Sequence, residues 1–220
     1  MKTIFDIDTA IAHLQTAVRP FPQAAMFALA EEGFNSLFEQ LIACIISIRT
    51  YDEVSLPVSR RLFLQANTPA AISYLSIQEI ENLIQGSTYA DRKAAQIHAI
   101  ATQIMDQHSG DLPSDVQVLL SFNGVGLKCA HLALGIACHQ PCISVDTHVH
   151  RITNRWGYVH TKTPEKTTAA LEVKLPQTYW IEINRLLVPF GKHICTGRLP
   201  RCSTCSLLDM CQQVGVESHQ

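Results

Sequence analysis

Apolar residues return at every third or fourth position along nearly the whole chain, and no window alternates apolar and polar as a half-buried strand would. FNSLFEQLIACIIS, IQEIENLIQ, KAAQIHAIATQIM, VQVLLSF, CAHLALGIA, TTAALEVKL and WIEINRLLVPF all carry the helical period. Thr68-Pro69, Leu112-Pro113 and Thr163-Pro164 punctuate these stretches, each close to a polar residue able to cap the helix that follows. The expected class is all-α. With 220 residues, the chain can bury one sizeable core or divide into two small lobes. A composition 47% hydrophobic and only 16% charged excludes a disordered chain.

The longest apolar runs, such as LIACIIS, fall well short of the roughly 20 residues that cross a bilayer, and no basic leader precedes an apolar segment at the start. A soluble, cytoplasmic protein with no membrane partner is therefore expected. The net charge of −2 argues against a protein that coats itself in nucleic acid, yet leaves room for a local basic face. The last residues, QQVGVESHQ, read as a frayed tail.

The eight cysteines fall into two groups. Cys44, Cys129, Cys138 and Cys142 lie among apolar neighbours, where a thiol serves as a small buried hydrophobe. Cys195, Cys202, Cys205 and Cys211 crowd into HICTGRLPRCSTCSLLDMC, in the pattern CX6CX2CX5C. A pair of disulfides there would not survive a reducing cytosol. Structural zinc suits four thiolates, but zinc ribbons present two separated CxxC knuckles, and only Cys202 and Cys205 have that spacing. A single sequential wrap of four cysteines fits an iron-sulfur cubane better.

In FNGVGLKCA, two glycines stand one residue apart, with a lysine two residues beyond. Ser114 and Gln117 form a candidate capping box for a helix running to about Ser121, and a second helix begins after Gly126. Asn-Gly-Val-Gly is then a tight turn between helices, whose unpaired amides can cradle a phosphate oxygen. A nucleotide P-loop needs a longer loop, a hydroxyl after the lysine and a preceding strand, all missing here. A nucleic-acid backbone phosphate is the better guest, because such a turn holds it whatever the base sequence. Gly124 and Gly126 are thus candidate DNA contacts. Lys128 falls in the first turn of the following helix, where the positive end of the dipole disfavours an ammonium and so favours a nucleophile. An ordinary phosphate contact is the alternative.

Downstream, ISVDTHVHRITNRWGY sets Asp146 just ahead of another helix, to cap it or to face the same site. Together, the lysine and the aspartate suggest an amine attacking a sugar carbon while a carboxylate stabilises the positive charge left as a base departs.

GVGLKCA, then VDTH, then CX6CX2CX5C, in that order and at matching separations, resembles endonuclease III of the helix-hairpin-helix DNA glycosylase superfamily. The resemblance runs from about LIACIIS to Cys211. It implies two helical lobes flanking a DNA-binding cleft: a six-helix barrel ending in the hairpin, over 30–141, and a cluster lobe over 142–220 joined by the N-terminal helix within 1–29. It also implies that Lys128 is the nucleophile, that Asp146 is the catalytic aspartate, and that Cys195, Cys202, Cys205 and Cys211 hold a 4Fe-4S cluster. The implied enzyme is a monomeric base excision repair glycosylase with β-elimination lyase activity on damaged or abasic double-stranded DNA, with oxidised pyrimidine as the default lesion. Its alternatives are a monofunctional glycosylase and a non-enzymatic iron-sulfur DNA-binding protein.

Lys192, Arg198 and Arg201 form a basic stretch near the cysteines, free of acids, that could grip phosphates. Where the family commonly reads SAQATD or SSQTKD, this chain has Ser47-Ile48-Arg49-Thr50-Tyr51-Asp52, so Arg49 replaces a glutamine that fills the gap left by a flipped base. Arg49 could plug that gap or contact phosphate. Phe-Asn-Gly stands in place of the usual Leu-Pro-Gly of the hairpin, and Thr88-Tyr89-Ala90-Asp91-Arg92-Lys93 in place of an aromatic pair followed by basic residues. His148 could orient Asp146 or sit near the flipped nucleotide; His131 is assigned no role.

Overall fold

A computed structural model describes residues 2–220. Among these residues the helical period is realised and no strand occurs. In chain order come α1 (Ile7–Val18), α2 (Ala25–Glu31), α3 (Leu37–Ser47), α4 (Asp52–Gln65), α5 (Pro69–Ser73), α6 (Ile77–Leu83), α7 (Ala90–His108), α8 (Val116–Ser121), α9 (Leu127–Cys138), α10 (Thr147–Arg155), α11 (Pro164–Lys174) and α12 (Glu182–His193), with single 3-10 turns at Gln177–Tyr179 and Cys202–Thr204. They divide into two units: Ala25–Cys142, and the chain up to Ala24 joined by Ile143–Gln220.

In the Ala25–Cys142 unit, α3 is the central element. Leu41 through Ile46 are at most 1% exposed, so more than a full turn is covered on every side, as expected of a helix apolar all round. It packs against α4, α7 and α9, while α5 and α6 lie on α7. Its start is fixed by a capping box in which Ser36 and Glu39 bond reciprocally. The Glu39 carboxylate, 4% exposed, also accepts Asn67 Nδ2 at 3.1 Å, which satisfies a charge that would otherwise be costly to bury. α4 shows no clean apolar stripe and contains Pro57, which is why its period is absent from the sequence reading.

Two expectations about this unit are corrected. α8 is capped by Asp115, which accepts the Gln117 amide at 2.7 Å, whereas the Ser114 carbonyl is taken by Gln140 Nε2 at 2.8 Å. The aspartate is the stronger acceptor and stands next to the helix start, so the helix begins one residue later than Ser114 would set it. Cys44 and Cys129, read as separate buried thiols, are joined by a disulfide between α3 and α9, with Cα atoms 5.7 Å apart. Cys138 and Cys142 lie outside this pair and are half-buried.

The second unit is built around α12, which packs against both α1 and α10. Trp156, Phe190, Leu14, Val149, Ile152 and Leu187 are nearly inaccessible in its core, and Phe5 lays its ring 5.2 Å from Trp156 and 5.3 Å from Tyr158. The C-terminal residues do not fray. Gln212 and Val214 donate their amides to the Trp156 and Arg155 carbonyls at 3.3 and 3.0 Å, and Gln220 pairs with both Ser203 and Pro200. Lys2 holds Cys211 O and, at 2.7 Å, Gln213 Oε1. Backbone pairing with distant segments orders a stretch that composition alone reads as frayed.

A bridge spanning 85 residues in sequence contributes about 4.6 kcal/mol by loop-closure entropy. A non-reducing digest of alkylated protein is expected to yield the linked Cys44 and Cys129 peptides, and reductant to lower the denaturation midpoint of wild type but not of Cys44→Ala/Cys129→Ala. Two separately alkylated peptides would remove the bridge.

Candidate active site

Phe122 ends α8 by burying its ring, 1% exposed, and the Val125 amide closes the turn on Phe122 O at 3.1 Å. Between them, Gly124 adopts φ +77°, a conformation that costs an L-residue roughly 1–2 kcal/mol. A Cβ there would also lie 2.7 Å from Gln96 Nε2. Gln96 is on α7 and donates to Asn123 O at 2.8 Å, buttressing the turn from below. Nothing in the local sequence marks Gln96, which lies 27 residues away from the carbonyl it holds.

Gly126 has a different part. Its φ of −99° and ψ of 170° suit any residue, and an added Cβ would meet nothing within 4 Å. As the N-cap of α9 it offers no side-chain acceptor, so the amides of the first helical turn lack a side-chain cap and the space beside the glycine is open. Lys128, the second residue of that helix, is exposed on the same turn. The hairpin thus brings Gly124, Gly126 and Lys128 together.

Asp146, in the other unit, is the N-cap of α10. Both amides it accepts, those of His148 at 2.9 Å and Val149 at 2.8 Å, bond to Oδ1, so capping does not occupy Oδ2. The half-buried carboxylate is thereby held in one orientation. His148 contacts Arg151 through Nδ1 at 3.2 Å, and both pack over Gly191, where a Cβ would fall 2.4 Å from the imidazole.

Cys195, Cys202, Cys205 and Cys211 line one cavity with Trp156, Phe190, Ile194, Leu208 and Val216. Burial pushes the Cys205 thiol up to about 11, and moves Cys211 in the same direction. Among the described residues no three His, Cys, Asp or Glu side chains converge on a point where a single ion could sit. Hydrogen bonds reach three of the four cysteines: Arg155 Nη1 lies 3.4 Å from Cys195 Sγ, the Gln213 amide 3.4 Å from Cys211 Sγ, and the Leu207 backbone bonds to Cys205. Arg155, 9% exposed, also donates to Thr196 O and Gly197 O at 2.6 Å, and Arg151 donates to Gly191 O and Cys195 O at 3.0 Å. The sequence reading missed both arginines. Their spacing of four residues in a helix that also starts at Asp146 is the signal that could have found them.

Of the remaining candidates, Arg198 and Arg201 are exposed on the cysteine loop, and Lys192 is half-buried in the last turn of α12. Arg49 is exposed just after α3, with φ +55°.

Residues 42–177 match the family profile of the HhH-GPD superfamily of base excision DNA repair proteins. The chain is 37% identical to endonuclease III of Thermotoga maritima over 80% of its own length and 82% of that protein. It is 32% identical to endonuclease III of Escherichia coli K12, covering 83% of this chain and 86% of the relative. Among solved structures, a trapped endonuclease III–DNA covalent intermediate superposes with a TM-score of 0.75 at 29% identity, over 81% of this chain and 84% of that one. The chain belongs to the HhH-GPD superfamily of base excision DNA repair proteins. Its role is that of a DNA glycosylase with associated abasic-site lyase activity.

The two hairpin glycines are expected to respond differently to alanine. Gly124→Ala should lower stability by roughly 1–3 kcal/mol in urea denaturation, through φ strain and the Gln96 contact. Gly126→Ala should stay within about 1 kcal/mol of wild type yet weaken duplex binding at least about tenfold, equivalent to about 1.4 kcal/mol. Unimpaired binding by Gly126→Ala would mean that no backbone approaches that turn.

Proposed function

We propose that this enzyme removes oxidised pyrimidines from double-stranded DNA and then cuts the abasic strand through a Schiff base on Lys128, acting as a monomer. The observation that carries this reading is the exposed lysine on the first turn of α9, directly after a glycine cap that leaves room for a backbone. The damaged nucleotide leaves the stack, because its C1′ cannot be reached inside it. Lys128 Nζ bonds to C1′ as the base departs with the glycosidic electron pair and takes up a proton. Opening of the sugar ring at O4′ gives the protonated Schiff base. Loss of a C2′ proton then expels the 3′ phosphate, and water releases the unsaturated sugar from the lysine. Asp146, its orientation fixed by two amides, offers the free lone pairs of its carboxylate to the positive charge that grows on the sugar as the base leaves.

Four cysteines in the lining of one cavity match the four thiolates that an iron-sulfur cubane takes. Cys195, Cys202, Cys205 and Cys211 would hold a 4Fe-4S cluster there. When bound, the cluster braces the loop carrying Arg198 and Arg201. Arg155, donating to Cys195 Sγ and to two loop carbonyls, supplies part of that bracing from the protein itself.

Borohydride is expected to trap wild type covalently on abasic duplex, and Lys128→Ala to lose the adduct at least about a hundredfold, a difference of roughly 2.7 kcal/mol in transition-state stabilisation. Asp146→Asn keeps a good N-cap and removes only the charge, so the midpoint should hold while base release slows by a similar factor. Base release without strand cleavage by wild type, or an adduct that persists in Lys128→Ala, would overturn the lysine mechanism. Purified protein should be brown, with iron and sulfide in equal amounts, and Cys205→Ala should lose the colour; a colourless protein holding one zinc would refute the cluster.

A further inference from the structure

α3 is buried to its last turn, and its final carbonyls need partners once it stops. Lys93, on the first turn of α7 and 5% exposed, supplies them. Its Nζ donates to Ile46 O at 2.6 Å, Ile48 O at 2.8 Å and Thr50 Oγ1 at 3.0 Å. Burial pushes the amine down to about 8, still above neutrality, so an ammonium with three donors faces three oxygens at pH 7. The turn so held contains Arg49 at φ +55°, a strained conformation for an arginine. A second clamp comes from Thr88: its hydroxyl donates to Arg49 O at 2.8 Å, and its amide to Thr50 Oγ1 at 3.1 Å. The next residue, Tyr89, is itself left-handed, at φ +59°.

Two left-handed, non-glycine residues, Arg49 and Tyr89, therefore belong to segments tied together by the Thr88 hydrogen bonds. The surface they present is unusual in its content: Arg49 beside Tyr51 at 80% exposure, Tyr89 at 50% and Ile48 at 38%. A cation set among uncovered aromatic and aliphatic groups suits stacked bases better than water. Backbone strain of this kind persists only where the surroundings over-determine it.

We propose that Lys93 is a positioning residue for DNA recognition, fixing the Ile48–Tyr51 turn so that Arg49 is presented to bound duplex. The proposal rests on the glycosylase reading and deepens it. A lysine that merely capped α3 would stabilise the fold without regard to what stands at position 49. A lysine that acts through Arg49 has nothing to position once Arg49 is gone.

The test is a double-mutant cycle on wild type, Arg49→Ala, Lys93→Met and Arg49→Ala/Lys93→Met. Each is measured for affinity to a duplex carrying a tetrahydrofuran abasic analogue, and for single-turnover cleavage of a natural abasic duplex. Each single change is expected to lose about tenfold in affinity, and the double to lose no more than the weaker-binding single, a coupling of about 1.4 kcal/mol. Losses that multiply to about a hundredfold, or wild-type affinity in Lys93→Met, would overturn the proposal. Should Lys93→Met not fold, Thr88→Val removes one clamp from an exposed position, with about threefold loss expected in wild type and none in Arg49→Ala. An unchanged Thr88→Val, or the same loss in both backgrounds, counts against it. The affinity arm needs no chemistry, so failure of Lys128-dependent trapping with the coupling intact sinks the lyase reading and spares this one.

Discussion

Complete burial of α3 governs the unit it belongs to. A helix with no wet face must have every neighbour supply apolar contact, and α4, α7 and α9 do so. It must also end without stranding its last carbonyls in a dry interior, where an unpaired group costs on the order of 1–3 kcal/mol. The ammonium of Lys93 meets that need from α7, and in doing so it fixes the course of the chain through Ile48 and Arg49 as it returns to the surface. An exposed turn is thus shaped by a buried requirement.

Past α2, helix starts in this unit fall into two kinds. α3, α5, α6 and α8 are capped by the side chains of Ser36, Thr68, Ser76 and Asp115. α4, α7 and α9 begin at Tyr51, Tyr89 and Gly126, without a side-chain cap. A side-chain cap is worth about 1 kcal/mol, less where glycine stands in, and that contribution is forgone at segments that also hold the left-handed residues Arg49, Tyr89 and Gly124. Departures from local preference are expected to collect where function, not stability, sets the residue. Here they coincide with the turn bearing Arg49, the segment clamped to it and the hairpin before Lys128.

What could be read in the sequence is what depends on near neighbours along the chain. The period of α3, α7 and α9, the Thr-Pro starts of α5 and α11, the glycine turn and the spacing of the four clustered cysteines all belong here. The disulfide did not, because Cys44 and Cys129 meet only through the packing of α3 on α9. Gln96 under the hairpin and Lys93 under the Arg49 turn are polar residues on a helix whose remaining surface gives ample reason for polarity. Asp115 was passed over for Ser114 because both are good caps and only the backbone decides between them. The tail was misjudged for the converse reason: its order comes from carbonyls at Arg155, Trp156 and Pro200, far away in sequence.

In the other unit, α10 links the two chemical features that the sequence suggested separately. Asp146 caps its first turn; one turn on, Arg151 reaches the carbonyls of Gly191 and Cys195, and a further turn on, Arg155 reaches Thr196, Gly197 and the sulfur of Cys195. One rigid helix of nine residues therefore sets both the direction of the carboxylate and the path of the cysteine loop. Arg155 lies in the wall of the cysteine cavity and reaches Cys195 Sγ at 3.4 Å, so the same helix also sets a guanidinium against one of the four sulfurs. The cysteine loop thus takes its course from α10, through the carbonyls of Cys195, Thr196 and Gly197 that the two arginines hold.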